Sequence, residues 1–162
     1  MSLTIAANGT SALDEAMTDM ASAFDPQFGE AWTRSQCAGV LSGPGADLLI
    51  ARAADPSSEA NDAAVVPIGF ALLRTIIGEA ELMLIAVAPE ARRGGVARQL
   101  LLDCMATAQA RGATRFLLEV RADNPALSIY RAAGLVPVGR RADYYRGNDG
   151  SLRDALTLAK EL

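Results

Sequence analysis

The sequence contains no histidine, and this absence excludes more chemistry than any other feature of its composition. Without imidazole the chain cannot build a Ser-His or Cys-His nucleophile, and most zinc sites lose their usual ligands. Proton transfer must therefore use a carboxylate, tyrosine, cysteine, lysine, a chain terminus or water. Cysteine is also scarce: Cys37 and Cys104 lack C-x-x-C spacing, and Cys104 falls on the apolar face of a predicted helix, where we expect a reduced core thiol. We predict no metal site.

An excess of basic charge is missing too, since the net charge is −4 and the pI is about 4.8. This balance argues against nucleic acid as a direct partner and is compatible with an amine-bearing substrate. The first basic residue is Arg34, so no secretory n-region is present, and no uncharged apolar run reaches membrane-spanning length. We predict a cytoplasmic protein with no membrane partner. At 162 residues, with 51% hydrophobic content, we expect one domain over residues 1–162.

Hydrophobic periodicity and turn residues predict helices followed by an alternation of strands and helices. No first strand is evident in the alanine-rich N-terminus, and a polar loop is expected over residues 55–62. The predicted elements are helices Leu13–Phe24 and Phe28–Leu41, strands Asp47–Ala53, Val65–Ile77 and Glu79–Val87, a helix from about Val96 capped by Gly112, strand Thr114–Arg121, a helix from Pro125 to Gly134, and strands Val136–Tyr145 and Leu152–Ala159. This order predicts an α/β fold with a central mixed sheet flanked by helices, and a ligand at the carboxyl ends of its parallel strands.

The segment Arg92-Arg93-Gly94-Gly95-Val96-Ala97 lies between a predicted strand and the clearest predicted helix. Glycine lets the backbone close on a ligand, and the first N–H groups of the helix then favour an anion. A Walker loop would need Gly-Lys-Ser/Thr, and the G-x-G-x-x-G spacing is absent, which leaves the pattern R-x-x-G-x-A. The alternative is an ordinary glycine turn with solvated arginines.

Two polar residues follow on the next strand and helix. Glu119 lies in Phe116-Leu117-Leu118-Glu119-Val120-Arg121, and a carboxylate in a mostly apolar strand needs a partner or a use. One interpretation is an ion pair with Arg121, two residues away on the same face. Tyr130 lies in the next predicted helix, where it is either a core aromatic with a satisfied hydroxyl or an acid.

Taken together, R-x-x-G-x-A, Leu118-Glu119-Val120-Arg121, Asn124 and Ile129-Tyr130 resemble the GCN5-related N-acetyltransferase (GNAT) superfamily. Ile85-Ala86-Val87, Pro89 and the segment Arg140-Arg141 to Tyr144-Tyr145 narrow the resemblance to the RimI branch, which acetylates the N-terminal alanine of ribosomal proteins. The resemblance runs from about Phe24 to the C-terminus and is dense from Glu79 to Tyr145. It implies a GNAT-type mixed sheet and acetyl-CoA as cosubstrate.

The resemblance also implies roles for individual residues. Glu119 would be the general base and Tyr130 the general acid for the departing thiolate. The backbone of Ile85, Ala86 and Val87 would pair with the pantetheine arm, and Asn124 would bind the same arm. The pyrophosphate would be held by the loop residues Arg92, Arg93, Gly94, Gly95, Val96, Ala97 and Arg98.

The chain departs from the family pattern at several positions. It is one residue shorter between Glu119 and Tyr130, so either Asp123 or Asn124 takes the coenzyme role, and Gly94 replaces a frequent arginine. Trp32, Tyr144 and Tyr145 are candidates for the acceptor side or for core packing. Because adjacent strand residues face opposite ways, we expect at most one of the two tyrosines to face a substrate.

The sequence leaves three functions open. The first is an enzyme that acetylates the N-terminal α-amine of a protein, such as a ribosomal protein beginning with alanine. The second is an acetyltransferase for a small amine, which a narrow closed pocket would favour over an open groove. The third is a non-catalytic module that binds acyl-CoA, for which the tyrosine would be dispensable.

Overall fold

The computed structural model describes residues 3–8, 12–24, 27, 30–55 and 64–162. The chain runs through seven strands and four helices within these ranges, with a short 3-10 turn at Pro89–Ala91. No helix in the described ranges combines the length and the apolar character that a bilayer crossing requires. The elements are β1 Leu3–Asn8, α1 Leu13–Ala23, α2 Arg34–Leu41, β2 Ala46–Ala54, β3 Val65–Ile76, β4 Glu79–Val87, α3 Val96–Ala110, β5 Arg115–Arg121, α4 Leu127–Ala132, β6 Val136–Arg146 and β7 Leu152–Glu161.

The structure confirms the predicted order of elements from α1 onward and corrects two details. A first strand exists: β1 pairs antiparallel with β2 although alanine is a weak strand former. The helix expected from Phe28 begins only at Arg34, because Thr33 and Gln36 form a capping box that fixes the start. Phe28 and most of the expected loop over residues 55–62 lie outside the described residues.

The strands form one mixed sheet in the order β1-β2-β3-β4-β5-β7-β6. Strands β4 and β5 are parallel, as the sequence predicts for two strands joined through a helix, and the other neighbouring pairs are antiparallel. The crossover helix α3 therefore starts at the carboxyl end of β4. This is the edge where ligands bind in open α/β sheets.

Strands β4 and β5 are paired over only part of their length. Their register runs from Glu79–Arg115 to Leu82–Leu118, while β4 continues to Val87 and β5 to Arg121. On the other side of β4, Leu73 faces Leu82 and Leu72 faces Leu84, so Met83 is an extra residue in a β-bulge. A bulge bends its strand and increases the local twist. The carboxyl halves of β4 and β5 therefore separate and open a wedge in the sheet.

Helices cover both faces of the sheet and hold this wedge in place. On one face α3 buries Leu100, Leu101 and Cys104 against the strands, including Phe116. On the other face Leu13 of α1 and Cys37 of α2 pack with residues that include Phe70, Leu72 and Leu84. Cys104 is a buried free thiol whose pKa is raised by burial, which confirms the expected reduced core thiol.

Two glycines with positive φ give a test of the turns that support the sheet. An alanine Cβ at Gly45 (φ +72°) would lie 1.9 Å from the carbonyl oxygen of Thr75, whereas a Cβ at Gly112 (φ +83°) would meet nothing within 4 Å. We expect Gly112→Ala to lower the free energy of unfolding by about 1–2 kcal/mol through backbone strain alone. Gly45→Ala should lower it by about 3 kcal/mol or more, because overpacking adds to that strain. Urea unfolding measures both, and equal losses would contradict the packing at Gly45.

Candidate active site

Two cavities meet at the wedge between β4 and β5. The larger, about 830 Å³, is bounded by the end of β4, the loop after it, the first turn of α3 and the start of α4. The smaller, about 340 Å³ and partly open to solvent, lies between β4, β5 and the end of β6. The residues that line both cavities mark the border between them, and they are Phe24, Glu30, Ile85, Asn124 and Tyr130.

The loop before α3 has the backbone geometry of an anion site. Gly95, the residue before the helix, has φ +81°, and Arg93 has φ +63°. Val96, Ala97 and Arg98 form the first turn of α3 and line the larger cavity. The N–H groups of a first helical turn have no partner inside their helix, so these amides are suited to bind an anion. The loop interpretation as a phosphate cradle therefore has the geometry that it needs.

The arginines of this loop differ in what they contact. Arg92 donates from Nη2 to the carbonyl oxygen of Ala23 (2.8 Å) and from Nε to that of Val87 (3.3 Å), so it fastens the loop to α1 and β4. Arg93 and Arg98 are exposed and line the larger cavity. They are the cations best placed for a bound anion. Of the predicted loop residues, Gly94 is exposed and lies off the lining.

The remaining residues predicted to bind a coenzyme are also placed at the larger cavity. Ile85, Ala86 and Val87 line it along the part of β4 that lies beyond the pairing with β5. Asn124 borders both cavities, and its Oδ1 accepts a hydrogen bond from the N–H of Ala126 (2.9 Å) at the approach to α4. The carboxylate of Asp123 instead pairs with Arg121 and Arg153. The geometry favours Asn124 over Asp123 for contact with a ligand.

Glu119 lines the smaller cavity from β5, and its side chain is 24% exposed. Its Oε2 pairs with Nη2 of Arg141 on β6 at 2.7 Å. This partner differs from the one suggested by sequence spacing, because Arg121 pairs with Glu30 at 2.8 Å and with Asp123. The carboxylate is therefore held in place at a cavity wall while one side faces a cation.

Tyr130 lies on α4 at the border between the two cavities and is only 6% exposed. Burial, with a further contribution from the charge of Glu30, raises the pKa of its phenol to about 12. The phenol consequently stays protonated at neutral pH. A neutral phenol that reaches both cavities is able to donate a proton to an atom that lies between them.

All three aromatic residues proposed for the acceptor side line the smaller cavity. Tyr144 and Tyr145 both do so, although strand alternation alone would turn them to opposite faces; that at most one of them faces a substrate stays a prediction. The register shifts here: Arg141 faces Ala155 and Tyr145 faces Arg153, so residues 142–144 of β6 share Asp154 of β7 as their counterpart. This bulge, with Asp143 at φ +54°, breaks the alternation of faces and brings the two rings edge to face with centroids 5.2 Å apart. Trp32 contributes from the segment before α2.

The two cavities differ in charge. The described residues that line the smaller cavity include Glu30, Glu81 and Glu119 and contain neither lysine nor arginine. Each of these carboxylates has its arginine partner outside that lining. The lining of the larger cavity contains four arginines, among them the buried Arg121. A cationic amine would suit the charge of the smaller cavity, and a polyanion would suit that of the larger one.

Sequence reasoning missed Glu30 and Glu81 as residues of the site. Glu81 precedes Ile85 by four residues in β4, but the extra residue Met83 between them switches the alternation of faces, so the period of a strand could not have grouped the two. Glu30 lies in a segment without regular structure and without periodicity, and no local signal marks it. It forms an ion pair with Arg121, 91 residues further along the chain, and such a long-range contact is not visible in the local sequence.

Comparison with known proteins identifies the family and several named relatives. The sequence profile of the acetyltransferase (GNAT) family matches residues 15–135. The chain is 37% identical over 93 residues to the [ribosomal protein bS18]-alanine N-acetyltransferase of Haemophilus ducreyi, covering 57% of this chain and 64% of that protein. It is 36% identical over 91 residues to the protein of the same name from Escherichia coli, covering 56% of this chain and 61% of that one. The chain thus spans less than two thirds of the length of these curated relatives.

A solved structure extends the likeness to the whole fold. The crystal structure of the ribosomal-protein-S18-alanine N-acetyltransferase from Escherichia coli superposes with a TM-score of 0.81 at 26% identity. The superposition covers 99% of this chain and 94% of that one. The seven-stranded mixed sheet with its flanking helices is therefore shared.

The raised pKa of Tyr130 can be measured directly in a chain with three tyrosines. We expect the difference in tyrosinate absorbance between the wild type and Tyr130→Phe to stay near zero up to about pH 11, because the pKa is about 12. The pKa of this phenol in the folded protein exceeds its value of about 10 in the unfolded chain. Its contribution to the free energy of unfolding is therefore fully present below pH 10 and is lost as pH rises from 10 to 12. Circular dichroism confirms that both proteins remain folded. One full tyrosinate in the difference by pH 10.5 would contradict the burial of this phenol.

Proposed function

This chain belongs to the acetyltransferase (GNAT) family, and we propose that it transfers the acetyl group of acetyl-CoA to the N-terminal α-amine of a protein. One observation carries the proposal: Tyr130 stands where the two cavities meet, with Glu119 on the wall of the smaller one. The larger cavity is then the donor side and the smaller cavity the acceptor side. The acceptor meets the thioester beside the phenol.

The larger cavity fits the parts of acetyl-CoA in order. Backbone groups of Ile85, Ala86 and Val87, beyond the pairing with β5, bind the pantetheine arm in the manner of an added strand. Amides of the loop and of the first turn of α3 hold the pyrophosphate, with Arg93 and Arg98 beside them. Asn124 contacts the arm from the α4 side. Acetyl-CoA supplies the activated acetyl group as a thioester.

The smaller cavity prepares the acceptor. An α-amine has a pKa of about 8, so most of it is protonated at neutral pH and cannot attack a carbonyl. Glu119 takes that proton, directly or through one water, and the neutral nitrogen forms a bond to the acetyl carbon. The carbon–sulfur bond breaks, and Tyr130 donates its proton to the sulfur as charge develops there. The nitrogen, now bonded to the acetyl carbon, releases its second proton and becomes an amide, and a proton from solvent restores the phenol of Tyr130. The thiol of CoA has a pKa of about 8.5 if it behaves like cysteine. Each general acid or base contributes a factor of about 10² to 10⁴ in rate.

The names of the relatives support a peptide as the acceptor. Two proteins with 36–37% identity carry names that specify the alanine of ribosomal protein bS18. We therefore propose a protein that begins with alanine or serine as the acceptor, with a ribosomal protein as the first candidate. The aromatic residues Trp32, Tyr144 and Tyr145 would contact the residues that follow the amine.

The first test measures acetyl transfer by the wild type and by variants of the two residues assigned to catalysis. Incubation of the protein with acetyl-CoA and an alanyl hexapeptide should add one acetyl group to the peptide, as read by mass spectrometry. Glu119→Gln and Tyr130→Phe should each lower kcat by about 10²-fold or more, because each removes one proton-transfer group. Calorimetry should find the Kd of both variants for CoA within about twofold of wild type, because Glu119 lines only the smaller cavity and Tyr130→Phe keeps the ring that lines the larger one.

Three outcomes would redirect the proposal. Acetylation of polyamines or amino acids, with no peptide product, would assign a small-amine acceptor instead. Coenzyme binding without acetyl gain on any amine would contradict the enzyme. Unchanged behaviour of Tyr130→Phe in every assay would indicate a non-catalytic module that binds acyl-CoA.

The assignment of the loop predicts which arginine matters for the coenzyme. Arg93→Ala should weaken CoA binding by about fivefold or more at 50 mM salt and by less at 300 mM, because salt screens exposed charges. Arg131→Ala is the matched control, since Arg131 is an exposed arginine of α4 that lines neither cavity. Calorimetry measures both variants. An equal effect in the two would show that the loss reflects net charge and not the loop.

A further inference from the structure

Arg141 contacts Glu119 without lining either cavity, and its role goes beyond the residues assigned so far. We propose that Arg141 is a positioning residue that orients the Glu119 carboxylate for proton removal from the acceptor amine. This inference rests on the proposed function and names a further residue of the same site. It is carried by contacts on two sides of a single guanidinium.

The first contact is the ion pair itself. Nη2 of Arg141 lies 2.7 Å from Oε2 of Glu119, a distance typical of a charge-assisted hydrogen bond. A carboxylate has two oxygens, and a cation fixed on one of them sets the direction of the other. With Oε2 held by Arg141, Oε1 is the oxygen assigned to the acceptor amine or its bridging water.

The second contact fixes the position of the arginine side chain. The guanidinium carbon of Arg141 lies 4.8 Å from the centroid of the Tyr144 ring, within the range of a cation–π interaction. The bulge over residues 142–144 turns Tyr144 toward the smaller cavity, and Asp154 holds this bulge by accepting a hydrogen bond from the N–H of Asp143 at 3.0 Å. An arginine that is 58% exposed would otherwise sample many rotamers, so the ring restricts its position.

The strand register explains why Arg141 reaches Glu119. Glu119 of β5 faces Thr157 of β7, which in turn faces Gly139 of β6. Gly139 has no side chain, so the row beside Glu119 is open toward β6. Arg141 lies two residues beyond Gly139 on the same face and extends back over this row.

Other charges surround Glu119 and must be considered in any pH dependence. They come from every element that contributes to the smaller cavity. The titratable or charged groups are Glu81 on β4, Arg121 on β5, Tyr130 on α4, Tyr145 on β6 and Glu30 before α2. Arg121 is engaged by Glu30 and Asp123, so Arg141 is the cation in direct contact with the Glu119 carboxylate.

The test uses the pH dependence of acetyl transfer to the alanyl peptide. We expect Arg141→Gln to lower kcat by about tenfold at pH 7, with the KM for acetyl-CoA unchanged. At pH 9.5 the deficit should shrink to within about twofold, because an amine with a pKa of about 8 is then already neutral and needs no base. A merely structural role would give the same deficit at both pH values. Arg141→Lys, which keeps the charge, should recover activity to within about threefold of wild type.

The matched control is another arginine of β6. Arg146 is exposed, lies on the same strand and lines neither cavity. Arg146→Gln should therefore keep wild-type kcat and pH dependence. A second variant tests the contact between Arg141 and the Tyr144 ring. Tyr144→Leu removes the ring and should reproduce part of the pH-dependent loss of kcat. Tyr144→Phe keeps the ring face and should lose less activity.

The outcomes separate this inference from the proposed function. A pH-dependent loss in Glu119→Gln together with a wild-type profile in Arg141→Gln overturns the role of Arg141 alone. An equal loss in Arg146→Gln overturns it as well, because the effect would then come from the loss of any charge on this strand. Full activity of Glu119→Gln at pH 7 overturns both the base assignment and its dependence on Arg141.

Discussion

The early end of pairing between β4 and β5 is the constraint on which the rest of the structure depends. Parallel strands normally stay in register, and here the register ends at Leu82–Leu118 although both strands continue. The extra residue at Met83 bends β4, and packing on both faces of the sheet holds the bend. Backbone groups that a continuous sheet would satisfy are left to a ligand. Both cavities exist because of this separation.

The wedge also separates basic from acidic side chains, and this separation agrees with the proposed reaction. The parallel arrangement brings the start of α3, with its unsatisfied amides and two exposed arginines, to one side of the opening. The other side is lined by residues of β4, β5 and the β6 bulge, and the described lining there contains three carboxylates, several aromatic rings and aliphatic side chains but neither lysine nor arginine. An anionic donor and a cationic acceptor can thus approach from opposite sides. Tyr130 is the buried group common to both routes.

Local patterns predicted most of the fold, and long-range register decided what they missed. The alternation in Glu79–Val87 and the apolar face of the helix from Val96 predicted β4 and the start of α3, because both signals are periodic. The β1 strand escaped because half of its six residues, two alanines and an asparagine, are weak strand formers, and the strand depends on pairing with β2. The position of the two tyrosines depends on a bulge in β6 opposite Asp154, which no local pattern shows. Arg141, the partner of Glu119, was missed because its position depends on the register of β5, β7 and β6, which lies outside any local pattern.

The ion pair between Glu30 and Arg121 shows how the site tolerates charge beside a buried phenol. Glu30 borders both cavities and helps to raise the pKa of Tyr130, so an uncompensated carboxylate there would be unfavourable. Arg121 is almost fully buried and binds Glu30 from β5, while Asp123 balances the arginine in turn. Removing one member of such a pair leaves a buried charge without compensation. The pair also connects the segment before α2 to β5, so one interaction contributes both to the position of that segment and to the polarity around the phenol.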